Sequence, residues 1–190
     1  MFWLSPETSG MVTFAEVVVV VDCAAVTKVT VSPQVVASLA QDGVVVGIKD
    51  SSRDFEYFSQ VVFGTRGIRV FRVFTGSDTM LLASLRIGAD GTIAGGPNLE
   101  PRFAVEVYRA FLEGDWDRAV EMQEKVLDLV MATRRGMFPA GIKAGLEILG
   151  ICDSTMAPPV QSLSNGDRAE LRKVMEGLGL LPEPALRRIA

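Results

Sequence analysis

The stretch VVVGIKDSS, Val44 to Ser52, sets Lys49 at the end of an apolar run around one glycine. In parallel α/β folds the ligand site lies at the carboxyl ends of the strands, so a lysine there has apolar walls behind it and a site in front. Stripping water from an ammonium favours the neutral amine, and a neutral amine attacks a carbonyl carbon to give an imine. The iminium then draws electrons from the adjacent carbon, so that carbon–carbon bonds beside the former carbonyl can form or break. Lys49 is therefore the candidate Schiff-base nucleophile. The competing reading is structural: the stem runs past the strand and the ammonium pairs with Asp50 or another carboxylate in water.

Two glycine-containing stretches could meet a small ligand. GTIAGGPN, Gly91 to Asn98, lets backbone approach an anion such as a carboxylate, but Pro97 stands where a nucleotide phosphate loop needs lysine. FTGSD, Phe74 to Asp78, could contact substrate through Gly76 and Ser77 or simply turn the chain into a helix cap. Trp116 and Met122 read as core residues, the acidic stretch Glu113 to Asp117 as a solvated corner and helix start, and Lys143 as a surface lysine on a helix.

The elements that must carry these residues are βα units. Buried parallel strands are predicted at Val17–Val21, Val44–Ile48, Val70–Phe74 and Thr92–Ala94, because near-continuous β-branched runs suit a sheet covered on both faces. Helix starts follow at Ser32-Pro33, at Asp54 and at Ser77-Asp78, and Gly88 is a stop. Helical periodicity then dominates over Leu99–Leu112, Trp116–Met131 and Pro139–Leu149. A last helix starts at Ser164, with Asp167 completing a capping box. Residues 1–113 are expected to form the α/β body and 114–190 a C-terminal helical extension.

The chain has 190 residues, a net charge of −4 and no histidine. The missing imidazole excludes Ser-His-Asp and Cys-His triads and His-ligated zinc. Two cysteines, Cys23 and Cys152, outside any CxxC spacing, exclude a thiolate metal site or disulfide framework, so no metal and no cofactor are expected. The acidic balance argues against nucleic acid or an anionic membrane as partner. The apolar stretch near the start carries no preceding Lys or Arg and is interrupted by Glu16, which reads as a strand rather than a leader; the expected setting is cytoplasmic.

VVGIKDSS, FTGSD, GADGTIAGGPNLEP, GDWDRAVEMQ and PAGIKAGLEILGI, in this order, resemble the second half of the dihydrodipicolinate synthase and N-acetylneuraminate lyase family. The resemblance covers about Thr27 to Pro182. It implies a partial TIM (β/α)8 barrel, about four C-terminal βα units with the helical extension, and a homo-oligomeric class I aldolase or lyase. It places the imine with pyruvate or a related 2-keto acid on Lys49, agreeing with the chemical argument. It further implies that Gly76 and Ser77 line the pyruvate pocket and that Ile93 packs against the keto acid, with its backbone near the carboxylate.

The departures are specific. The family's proton-relaying tyrosine falls at Val21, the proline of that motif at Ala24, and the synthase's carboxylate-binding arginine at Val26. Tyr57 and Tyr108 lie on predicted helices and are poor substitutes for the missing hydroxyl. Met1–Glu16 is not expected to supply the family's upstream strands. Three readings follow: an aldolase or lyase domain using Lys49, a truncated non-catalytic half-barrel that self-associates or pairs with a full-length relative, and an unrelated phosphate-binding α/β protein using GTIAGG.

Overall fold

The computed structural model describes residues 18–23 and 27–181. Four short strands form one parallel sheet in chain order: β1 (Val19–Asp22), β2 (Gly47–Asp50), β3 (Arg72–Thr75) and β4 (Gly91–Thr92). Among the described residues, α1 (Pro33–Gln41), α2 (Phe55–Gly64) and α3 (Leu81–Ile87) follow the first three strands. Helices α4 (Pro101–Glu113), α5 (Trp116–Thr133), α6 (Ala140–Ile148) and α7 (Asn165–Gly177) follow β4 among the described residues. Parallel strands in sequential order with a helix after each are the architecture of a partial (β/α)8 barrel followed by helices.

The helix starts form where side-chain oxygens can satisfy the open N–H groups of a first turn. Ser32 accepts from Val35 N ahead of Pro33, and Asp54 accepts from Tyr57 N. Asp115 accepts from Arg118 N, which makes the acidic corner a cap, and Ser164 accepts from Asp167 N. Gly88 ends α3 with a φ of 109°, a left-handed conformation suited to glycine.

The strands lie toward the carboxyl side of the expected runs. Val44 and Val70 are 56% and 66% exposed at the approach to β2 and β3, whereas the polar Asp22, Asp50 and Thr75 lie inside the strands and are buried. Backbone pairing does not depend on side-chain polarity, and these side chains find hydrogen bonds, Asp22 with Val31 N and the Tyr57 hydroxyl, Asp50 with Ser52 and Thr75 with Ser77 N, so the ladder continues through them. Expected residue Val17 lies outside the described residues, as does Met1–Glu16.

Alternation along the strands sorts the residues onto two faces. Val20, Ile48 and Val73 face the helices and join Val36, Phe58, Val61 and Val62 in one core. Val21, Lys49, Phe74 and Gly91 are register partners across the opposite, concave face. A second core joins Leu81 and Leu85 of α3, Val107 of α4, and Val126 and Val130 of α5. A third packs Leu99 and Leu129 on Ala144, Leu171 and Met175. The α5 stripe is thus narrower than its periodicity suggests. Ala119, Val126 and Val130 are buried, while Trp116, Val120 and Leu127 are 44%, 48% and 43% exposed. Trp116 is not core: it meets Phe111 edge-on at 5.8 Å and lies under Arg86 at the start of α5.

Candidate active site

Lys49 is the third residue of β2, inside the strand rather than beyond its end, and its register neighbours on the concave face are Val21 and Phe74. It makes no hydrogen bond or ion pair with another described residue, and its charge acts on the Asp78 carboxyl. Pairing with Asp50 is ruled out by alternation, which turns Asp50 to the helix-facing side. There its carboxylate accepts from Ser52 N at 2.7 Å and from Ser52 Oγ at 3.1 Å. Burial raises the Asp50 pKa above the ordinary aspartate value, the Ser52 hydrogen bonds oppose the rise, and the Asp22 and Asp54 charges add to it.

Gly76 makes room for the lysine. Its N–H donates to the Asp50 carbonyl at 2.5 Å, and a Cβ at this position would meet Lys49 Cε at 2.8 Å and also run into Ser51 Oγ. Lys49, Ser51 and Gly76 therefore share one corner at the carboxyl end of the sheet.

The next residues tie this corner to α5. Ser77 is buried, its N–H donates to Thr75 Oγ1 at 3.1 Å, and its hydroxyl is 3.0 Å from that of Thr79. Asp78 is 5% exposed; its Oδ2 accepts from Gly96 N at 3.1 Å and its Oδ1 has no hydrogen-bond partner. Gln123 of α5 donates to the Asp78 carbonyl at 3.0 Å and accepts from Leu82 N at 2.9 Å, fixing both ends of the turn into α3. Burial pushes the Asp78 carboxyl up, while the Gly96 N–H and the Arg134 and Lys49 charges pull it down.

Tyr57 does not replace the hydroxyl missing at Val21. Its OH lies 2.8 Å from both Asp22 Oδ2 and the Val31 carbonyl, so its single proton is committed on the helix-facing side of the sheet. Burial, then the Asp22 carboxylate, push the Tyr57 pKa well above the ordinary phenol range. Tyr108 sits 39% exposed on α4. Ala24 and Val26 lie outside the described residues.

An open cavity of about 390 Å³ adjoins the Lys49 corner, walled by Gly76, Ser77, Asp78, Gly95, Thr133 and Phe138, with Arg53 and Arg134 also contributing. Arg53 has a φ of 64°, a left-handed conformation that costs a non-glycine residue about 1 kcal/mol. The structure thus brings Gly76 and Ser77 to the cavity wall, with Lys49 beside Gly76 but not itself lining the cavity. Ile93 lies further along: it is 49% exposed, its N–H is used by the Thr75 carbonyl at 2.9 Å, and it does not line the cavity. Arg53, Arg134 and Gln123 were not singled out for the site from sequence. For Gln123 the available signal was an amide at a core-facing position of an apolar stripe. For the arginines there was none, because only folding brings positions 53 and 134 to one cavity.

A parallel sheet in sequential order, with a lysine on its concave face and a cavity at the strand ends, defines a segment of a (β/α)8-barrel protein. Residues 13–178 match the dihydrodipicolinate synthetase family, and the chain belongs to it. It is 33% identical over 150 residues to an uncharacterized DapA-like lyase of Halobacterium salinarum, covering 79% of this chain and 48% of that one. It is 28% identical over 186 residues to the 4-hydroxy-tetrahydrodipicolinate synthase of Methanopyrus kandleri, covering 94% and 61%. The crystal structure of dihydrodipicolinate synthase from Thermotoga maritima superposes with a TM-score of 0.83 at 29% identity, covering 87% of this chain and 57% of that one. The chain thus spans about half the length of the curated relatives it matches. Among the described residues no helix is long and apolar enough to cross a membrane.

Proposed function

We propose that this chain carries the imine-forming part of a class I carbon–carbon lyase or aldolase acting on pyruvate or a related 2-keto acid. The observation that carries the reading is Lys49: an amine on the concave face with no hydrogen bond or ion pair among the described residues, in a family of lyases, with a glycine opposite its Cε. The neutral amine adds to the keto carbon, and the carbinolamine expels water to leave an iminium at Nζ. Loss of a proton from the adjacent carbon gives an enamine, which bonds to the carbonyl carbon of an aldehyde; hydrolysis of the resulting iminium frees the lysine. Cleavage runs the same steps backwards.

Gly76 and Ser77 form the wall beside the bound keto acid. Val21 next to Lys49 offers no proton, so water or the Ser51 hydroxyl at the shared corner serves the transfers. The reading includes a homo-oligomer, in which another subunit covers the open edge of β1.

The test is borohydride reduction in the presence of pyruvate, followed by intact-mass measurement and peptide mapping, with Lys49→Ala as control. A reduced pyruvyl adduct confined to Lys49 is expected. No adduct from a folded sample would sink the enzymatic reading and leave a non-catalytic relative.

A further inference from the structure

We propose that Arg53 and Arg134 form a clamp for an anionic group, a carboxylate or a phosphate, on the molecule that reacts with the Lys49-bound keto acid. This assignment rests on the imine reading above and extends it to the class of the second substrate.

The two arginines arrive from different parts of the chain. Arg53 lies between β2 and α2, and Arg134 is the residue that ends α5; both line the cavity that opens beside Gly76 and Ser77. Neither is in an ion pair with another described residue, and the polar contact of the Arg134 guanidinium is to Met131 Sδ at 3.6 Å. They are close enough to repel: burial first, then the Arg53 charge, hold Arg134 below the ordinary arginine range, with Asp78 opposing. Asp78 is the one carboxylate in the cavity wall among the described residues. Its Oδ2 is taken by Gly96 N, and its burial disfavours the charged form. Like charges held at one cavity without a committed counter-ion are a site for an anion, and guanidiniums match the two-oxygen geometry of carboxylate and phosphate.

The backbone at Arg53 gives an independent reason. The loop is locked on both sides: Ser52 N and Oγ donate to the Asp50 carboxylate, Ser52 Oγ accepts from Asp54 N at 3.0 Å, and Asp54 caps α2. That lock holds residue 53 at a φ of 64°, where glycine would sit without strain. Strain of this kind persists where a side chain is needed in place. An arginine there adds charge to the cavity while making no ion pair that would repay the strain within the described residues.

The experiment is calorimetric titration of the intact chain with inorganic phosphate and, separately, with succinate, in a buffer free of other polyvalent anions. At least one probe is expected to bind. Its affinity should fall at least tenfold in Arg53→Gln and in Arg134→Gln, and should survive in Lys49→Ala; the tighter probe identifies phosphate or carboxylate as the group recognised. Arg53→Gly separates recognition from folding, because it should raise the melting temperature while weakening binding as much as Arg53→Gln does. Failure of both probes to bind, or binding unchanged in both arginine variants, overturns the clamp. Failure of pyruvate trapping with arginine-dependent anion binding intact would overturn the imine reading and leave the anion site standing.

Discussion

Replacing Gly76 by alanine puts a methyl group where Lys49 now passes. The new Cβ would stand 2.8 Å from Lys49 Cε and 2.9 Å from the Asp50 carbonyl oxygen, with Ser51 Oγ closer still. Non-bonded carbons rest at about 3.5–4.0 Å, so the lysine stem must withdraw by roughly 1 Å. The Asp50 oxygen cannot withdraw with it, because it is strand backbone already bound by the Gly76 N–H. Overpacking of this sort costs about 1–3 kcal/mol, and a displacement of about 1 Å at a reacting group costs on the order of 100-fold in rate. The expected variant is folded, loses about 1–3 kcal/mol in urea unfolding, and traps pyruvate at Lys49 on the order of 100-fold more slowly. Gly177→Ala is the matched control: a Cβ there meets nothing within 4 Å, so it should leave trapping unchanged and stability equal or raised by up to about 1 kcal/mol. Wild-type trapping and an unchanged urea midpoint in Gly76→Ala would refute the claim that this glycine positions the lysine.

Tyr57→Phe removes the hydroxyl shared by Asp22 and the Val31 carbonyl, and should cost about 1–3 kcal/mol in urea unfolding while leaving pyruvate trapping unchanged. A large loss of trapping would instead give Tyr57 a chemical role. Gln123→Met strands Leu82 N–H and leaves the Asp78 carbonyl with the Leu81 N–H as donor, and should destabilise by about 1–2 kcal/mol by the same measurement. Asp78→Asn tests linkage. As pH rises past the ordinary aspartate value of 3.8, the unfolded chain releases its Asp78 proton before the native chain does, so this group makes stability fall until the raised native pKa is passed. The variant should lack that fall, read as a pH-dependent difference in urea midpoint between about pH 4 and about pH 7; a constant difference would contradict a raised native value.

Most of the architecture follows from local pattern. β-branched runs announced parallel strands, Ser32-Pro33, Asp54 and Ser164 announced helices, and GIKD beside an apolar run singled out Lys49, because burial periodicity, capping and amine chemistry act over a few residues. Three features required the tertiary structure. The strands end on Asp22, Asp50 and Thr75, since ladder hydrogen bonds between distant segments outweigh side-chain polarity. The fate of each polar group, whether Lys49 without a partner among the described residues, Asp50 held by Ser52 or Tyr57 committed to Asp22, depends on which face its strand or helix turns to a neighbour. The cavity that joins Arg53 to Arg134 exists only because βα units fold back to bring the end of α5 beside the loop after β2. Sequence spacing carries chemical identity; only the packed chain determines which of those groups share a wall.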